Sequence, residues 1–419
     1  MNELGGIMTV RIIKGTKQIG GCITEISTEK SKIIIDFGND LDDNSNSFEL
    51  EGLTYGRSCY DAIFITHSHS DHIGLINKIN KDIPIFIEDN SLKIHNLTCD
   101  FCNKEKATGG NIQIFKLNNN YSEKQEERPI FSNNNLCVYA YLTDHSSYNS
   151  CMYLIEGDGK RILHTGDFRM HGKKSSVVIN SLKKIGNVDM LITEGTTLTR
   201  CSDKYMSEKE LEDEAIKIMK KYNQVLIMQS STNLDRTSSF IRASIRTNKK
   251  FIVDLFSYHL QNVIKRFFYV DNKRIYLWKP YKYKYKNKCF INKYMNIDNN
   301  LKGAFPYYVM EVKESMLIDI KKLLEKGLFD KTCLIYSMWD GYTLKEDKLK
   351  KFIEKLKNMN IDIYYLHTSG HADKLAFKKL NELVNPKKTI IIHTEDGSGG
   401  KELFNNVISI RDNESVSVN

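Results

Sequence analysis

A chain of 419 residues, 41% of them hydrophobic, is long enough for two domains and apolar enough to bury a sizeable core, which excludes wholesale disorder. No run approaches the roughly 20 continuous apolar residues of a membrane helix, and Met1 to Val10 lack a charged-then-apolar secretion signal, so a soluble cytoplasmic protein with no membrane partner is expected. Nine cysteines, an odd number, point to reduced thiols rather than a disulfide framework, and a net charge of +9 is modest enough that its placement matters more than its total.

The first 195 residues read as short strands with few helices. Val10–Ile13, Cys22–Ser27 and Lys32–Asp36 are strand-like, separated by turns at Gly20-Gly21 and Glu29–Ser31. Asp61–Thr66 reads as a buried strand, and Ile73–Ile79 has helical spacing. Strands recur at Ile83–Glu88, Leu136–Leu142, Cys151–Glu156, Arg161–Thr165 and Asp189–Glu194. Cys99 and Cys102 form a lone C-x-x-C, read as two ordinary thiols on a helix because no second pair follows. Asn118 to Asn135 is polar and reads as a surface loop.

After about Thr199 strands alternate with helices, the pattern of a parallel α/β sheet. Helices are expected at Glu208–Tyr222, Leu234–Arg246, Tyr258–Phe267, Ser315–Lys326 and Lys345–Leu356, and strands at Val225–Gln229, Phe251–Asp254 and Cys333–Tyr336. Asp362–Leu366, a helix from about Ala372, and Lys388–His393 complete the series, and no internal repeat is seen. Residues Asn272 to Lys293 hold eight Lys or Arg, six aromatics and no acidic residue. Within them Tyr281 to Lys286 alternates ring and ammonium, which puts the two on opposite faces of a strand. Such a strand is either an edge guarded by lysines or a surface for a phosphate backbone.

The densest chemistry is Thr66-His67-Ser68-His69-Ser70-Asp71-His72, between a strand and a helix. Imidazoles suit zinc, a carboxylate beside them suits a second divalent ion, and a strand-end loop can fan all of them towards one point. His145 follows another strand, and so does Asp167, where Gly166 lets the backbone turn tightly.

Together with Asp36 in Ile-Asp-Phe-Gly, these motifs resemble, in residue and order, the metallo-β-lactamase superfamily. The resemblance implies an αββα sandwich and two metal ions, two Zn²⁺ with Mn²⁺ as the alternative. His67, His69 and His145 would bind one ion, Asp71 and His72 the other, and Asp167 would bridge. Asp36 would orient a ligand. Two dications acidify a shared water and clamp phosphate oxygens, which makes metal-bound hydroxide the expected nucleophile.

Three later motifs are similar to those of the β-CASP nucleases, and of ribonuclease J-like members in particular. Glu194 matches the first acidic motif, His367-Thr368-Ser369-Gly370-His371-Ala372-Asp373 matches H-x-S-G-H-A, and Ile392-His393-Thr394-Glu395 matches the last motif, whose histidine joins the second metal. The resemblance implies an inserted β-CASP α/β domain at 199–365, with the metallo-β-lactamase domain at 1–198 and 366–419. It also implies His371 as the acid protonating the leaving 3′-oxygen, held by Glu194, alongside Asp71 in the catalytic set. His367, Ser369, Gly370 and Ala372 would meet substrate, as would Ser231, Asn233 and Arg236 of Ser230-Ser231-Thr232-Asn233-Leu234-Asp235-Arg236. The histidine at 393 is the form associated with RNA processing.

Departures are Gly195-Thr196-Thr197 in place of Ser-Thr-Asn, the loop Ser146–Asn149, and an end at Asn419 that leaves no room for the ribonuclease J C-terminal domain. A homodimer is compatible with this reading. The expected function is a dinuclear metal-dependent phosphodiesterase cleaving single-stranded RNA to leave a 5′-phosphate. The alternatives are a DNA nuclease, a small-ester or thioester hydrolase, and a non-catalytic RNA-binding subunit.

Overall fold

The computed structural model describes residues 7–41, 48–117, 128–133, 135–200, 203–264, 275–278, 294–295 and 306–419. The chain divides into two units, Met1–Tyr205 with Gly370–Asn419, and Met206–Ser369.

The first unit is built on two seven-stranded sheets. One runs, in spatial order, Ser415–Ser417, Thr9–Lys14, Ile23–Ser27, Lys32–Ile35, Ala62–Phe64, Ile85–Glu88 and Ile112–Phe115. The other runs Val407–Ile408, Lys388–Ile392, Met190–Glu194, Lys160–His164, Cys151–Gly157, Leu136–Leu142 and Phe131–Ser132. Alternate residues of both sheets (Val10, Ile33 and Phe64 from one; Val138, Tyr153, Ile162 and Ile192 from the other) share one buried core, so the sheets pack face to face. Leu163 and Leu191, on the outer face of the second sheet, pack against helices Ser175–Ile185 and Lys374–Val384. The far face of the first sheet packs with Ile73, Ile76 and Leu92 of its own crossover segments. This helix–sheet–sheet–helix layering is the sandwich expected from the sequence.

The second unit is a seven-stranded sheet whose described strands all pair in parallel, ordered Tyr294–Met295, Ile275–Trp278, Lys250–Val253, Tyr308–Glu311, Gln224–Met228, Thr332–Tyr336 and Asp362–Tyr365. Its central strands, such as Gln224–Met228 and Thr332–Tyr336, are buried throughout because both of their faces are covered. Leu226, Met310 and Leu334 pack with Ile320, Phe352 and Leu356 of its helices.

Two expected helices come out differently. Ile73–Ile79 is not one helix: a single turn, Ser70–Ile73, is followed by a 3₁₀ turn, Ile76–Lys78. The cause lies in the Phe37–Asn39 loop, whose backbone pairs with Ser70, His72 and Leu75. Lys345–Leu356 is interrupted at Glu346, with φ −112° and ψ 101°, giving helices Gly341–Lys345 and Asp347–Lys357. The expected loop 118–135 contains the short strand Phe131–Ser132, and its residues 118–127 and 134 lie outside the described residues. The Tyr281–Lys286 alternation also lies outside them.

Candidate metal centre

The His67–His72 loop leaves its sheet at Phe64 and is held from behind by Asp36. Asp36 adopts φ +61°, a left-handed conformation that few residues but Asn and Asp tolerate. Its Oδ1 accepts from the Thr66 N–H at 2.7 Å, and its Oδ2 accepts from Thr66 Oγ1 at 2.8 Å and His72 Nδ1 at 2.7 Å. With Nδ1 donating to Asp36, the lone pair of His72 is on Nε2. That atom is buried and has no hydrogen-bond partner.

All seven proposed ligands, although scattered over 327 positions between His67 and His393, meet in the first unit. His69 Nδ1 lies 3.1 Å from His67 Nε2 and 3.2 Å from His145 Nε2. Three nitrogens on a tetrahedral ion with bonds of about 2.0–2.1 Å stand about 3.3 Å apart, so this spacing fits a zinc-sized cation. Asp167 Oδ2 lies between that triad and a second group. It is 3.9 Å from His67 and 3.7 Å from His145, and 3.3 Å from His72 and 3.8 Å from His393. His393 Nε2 is 3.2 Å from Asp71 Oδ2. Within each triad, His67 with His69 and His145, or Asp71 with His72 and His393, the ligand atoms lie within 4.8 Å of one another.

Electrostatics supports the fit. Burial pushes His67 and His145 well below the ordinary histidine pKa and His69 to about 4, so these rings are neutral and present lone pairs. Burial opposes ionisation of Asp71 and Asp167, yet neighbouring histidines outweigh it and hold both carboxyls below the usual range. Burial likewise opposes a charge on His72, but Asp167, Asp36 and Asp71 around it raise its pKa well above normal. A proton on His72 and a divalent cation are two ways to neutralise the same three buried carboxylates, and the unpartnered Nε2 suits the second.

His371 stands beside this cluster, its Nδ1 2.9 Å from Glu194 Oε2 and 3.7 Å from Asp167 Oδ2. Burial lowers its pKa, but the Glu194 carboxylate more than compensates and the net shift is upward. The ligand atoms of Glu194 and His371 are close enough to Asp167 and His393 to form another metal-sized group. Glu194, however, already accepts from the Phe168 N–H at 2.9 Å, the Ala372 N–H at 3.4 Å and His371. We therefore treat it as the partner of His371 rather than a ligand.

Several expected substrate contacts are placed otherwise. Arg236 is 1% exposed. Its guanidinium donates to both oxygens of Glu208, to Ser337 Oγ at 2.7 Å and to the Thr368 carbonyl at 2.9 Å, so it braces the loop ahead of His371 instead of offering itself to a phosphate. Ala372 is fully buried in the core. The Gly370 carbonyl accepts from His145 Nδ1 at 2.6 Å, which orients that ligand. Asn233 caps helix Leu234–Arg246 through the Arg236 N–H. Ser231 is half-exposed and Ser369 buried. His367 is exposed, with Nδ1 3.2 Å from the Ser337 carbonyl.

Two features escaped the sequence reading. Asp144 and Arg169 form a fully buried ion pair at 3.1 Å, with the Arg169 N–H also donating to the Asp144 carbonyl at 2.6 Å. This clasp joins the residue before His145 to the second residue after Asp167. Thr196 Oγ1 lies 2.8 Å from His393 Nδ1 and fixes that ring as Asp36 fixes His72. An Asp next to one ligand and an Arg two residues after another were the available signal, but only the fold pairs them.

Residues 32–227 match the model of the beta-lactamase superfamily domain. Over 257 residues the chain is 25% identical to a ribonuclease J of Helicobacter pylori, covering 57% of this chain and 35% of that protein. It is 29% identical over 184 residues to an RNase J-like protein of Methanocaldococcus jannaschii, covering 43% and 41%. The chain thus spans about a third to two fifths of the length of these relatives. A crystal structure of a protein of unknown function from Enterococcus faecalis superposes with a TM-score of 0.77 at 19% identity, covering 98% of this chain and all of the other, which shows the shared fold.

Proposed function

From a chain that carries a metallo-β-lactamase superfamily domain and is distantly related to ribonuclease J, we propose a metal-dependent phosphodiesterase that cleaves single-stranded RNA. The observation that carries this reading is the gathering of ligand atoms around Asp167 Oδ2 with the His371–Glu194 pair at its edge. We propose that the inserted β-CASP domain spans about 199–365, a reading supported by the compact unit Met206–Ser369. We also place the protein in the cytoplasm. Every cysteine among the described residues is a free thiol, and no described helix is long and apolar enough to cross a membrane.

His67, His69 and His145 would hold one divalent ion, and Asp71, His72 and His393 the other, with Asp167 between them. Zinc fits the imidazole-rich set, and manganese accepts its mixed nitrogen and oxygen donors. Such ions would acidify water and neutralise phosphate charge. The residues of the chain do the rest. Asp36 and Thr196 fix the tautomers of His72 and His393. His371, with Nδ1 donating to Glu194, keeps a proton to give from Nε2. Exposed His367 is the proposed phosphate contact. A water oxygen attacks phosphorus in line and gives up a proton to solvent, the bond to the 3′-oxygen breaks, and that oxygen takes the proton of His371. The products carry a 5′-phosphate and a 3′-hydroxyl.

Incubation of the zinc- or manganese-loaded protein with labelled single-stranded RNA, single-stranded DNA and a chromogenic ester tests the substrate class. RNA should be cleaved at least tenfold faster than the other two. Preferential turnover of the ester or of DNA would overturn the RNA reading while leaving a hydrolase.

A further inference from the structure

The second unit carries an aromatic surface that the metal centre does not use. Strand Asp362–Tyr365 lies at the edge of its sheet and ends on Tyr365, which is 56% exposed. The Tyr365 ring packs edge-on against buried Tyr336, centroids 5.6 Å apart, at the end of the adjacent strand. Tyr336 Oη donates to the Trp339 carbonyl at 3.1 Å. Trp339 in turn meets Tyr342, which is 43% exposed, at 5.4 Å and 80°. The tryptophan ring is fixed in place. A side chain at Gly341 would come within 2.3–2.6 Å of its six-membered ring, so the indole rests against bare backbone.

Two residues beyond Tyr365 stands exposed His367, the proposed phosphate contact, with Nδ1 3.2 Å from the Ser337 carbonyl. The exposed Asp340 in the same loop makes the surface a poor seat for phosphates and leaves its rings for bases.

We propose that Tyr365, Trp339 and Tyr342 form a stacking platform for bases of a single-stranded nucleic acid whose phosphates run past His367. This rests on the nuclease reading above. Ring faces accept any base, so the platform sets affinity and strand length rather than sequence.

The chain has two tryptophans, so a Trp278→Phe background leaves Trp339 as the sole reporter. A 2′-O-methyl phosphorothioate oligonucleotide, which resists cleavage, is titrated into the metal-loaded protein while tryptophan emission and affinity are followed. Saturable quenching is expected. Tyr365→Ala should weaken affinity about 5- to 150-fold, the loss of one base stack, while Tyr365→Phe stays within about twofold. Metal bound per chain serves as the folding control. Binding with unquenched emission and unchanged affinity in Tyr365→Ala would overturn the platform and leave the nuclease intact. A change in oligomeric state instead of affinity would assign the surface to contact between copies and overturn the proposal. Absence of both binding and RNA cleavage in the loaded protein would overturn the nuclease reading itself.

Discussion

At the scale of single residues, the account turns on which groups bind metal and which move protons. His371→Ala should lower turnover about 10²- to 10⁴-fold, the span of a lost general acid, with metal content unchanged. Loss of metal from that variant, measured by atomic absorption, would make His371 a ligand instead. A second residue-scale prediction concerns His164, a buried ring whose Nδ1 accepts from the Gly166 N–H at 3.1 Å, one residue ahead of Asp167. Burial holds its pKa at about 4 against the ordinary 6.5. The unfolded chain therefore binds a proton in that interval that the folded chain refuses. This contribution to stability is whole above pH 6.5 and is lost as pH falls towards 4. Urea melts of metal-free His164→Gln should depend less steeply on pH over this range than those of the wild type; equal slopes would show that His164 does not titrate there. The ligands were legible in the sequence because His67 to His72 concentrates costly groups in six positions. His164 was not, since a lone histidine before Thr-Gly-Asp gives no sign of its burial.

At the scale of elements, the strands of both units were readable from apolar runs such as Ile33–Ile35 and Thr332–Tyr336, because a strand covered on both faces must be apolar throughout. Helix Leu234–Arg246 was read with its bounds, whereas Asn233, expected to meet substrate, proves to be its cap. The failure at Ile73–Ile79 has a tertiary cause: the Phe37–Asn39 loop takes the backbone groups that a longer helix would use. The same limit hid the Asp144–Arg169 clasp and the neutralisation of Arg236 by Glu208, since residues distant in sequence reveal nothing of their pairing. Asp144→Asn should cost about 3–5 kcal/mol in denaturant unfolding, because it removes the carboxylate charge of a fully buried ion pair. A loss below about 1 kcal/mol would mean that the pair is solvated or replaceable.

At the scale of the whole molecule, the metal ligands come from four separate segments of the first unit, so bound ions cross-link stretches that the sequence separates widely. Removing them with a chelator should lower stability by about 2.7 kcal/mol relative to protein held at a hundredfold excess over the dissociation constant. An unchanged melting temperature would mean that the cluster is satisfied without ions. The central claim, that this cluster drives RNA cleavage, is tested most directly by following 5′-labelled single-stranded RNA with zinc- or manganese-loaded wild type and with Asp167→Asn treated identically. The account predicts fragments ending in 3′-hydroxyls and beginning with 5′-phosphates from the wild type, and none above background from the variant. Cleavage of equal rate by Asp167→Asn, or by wild type stripped of metal, would contradict it.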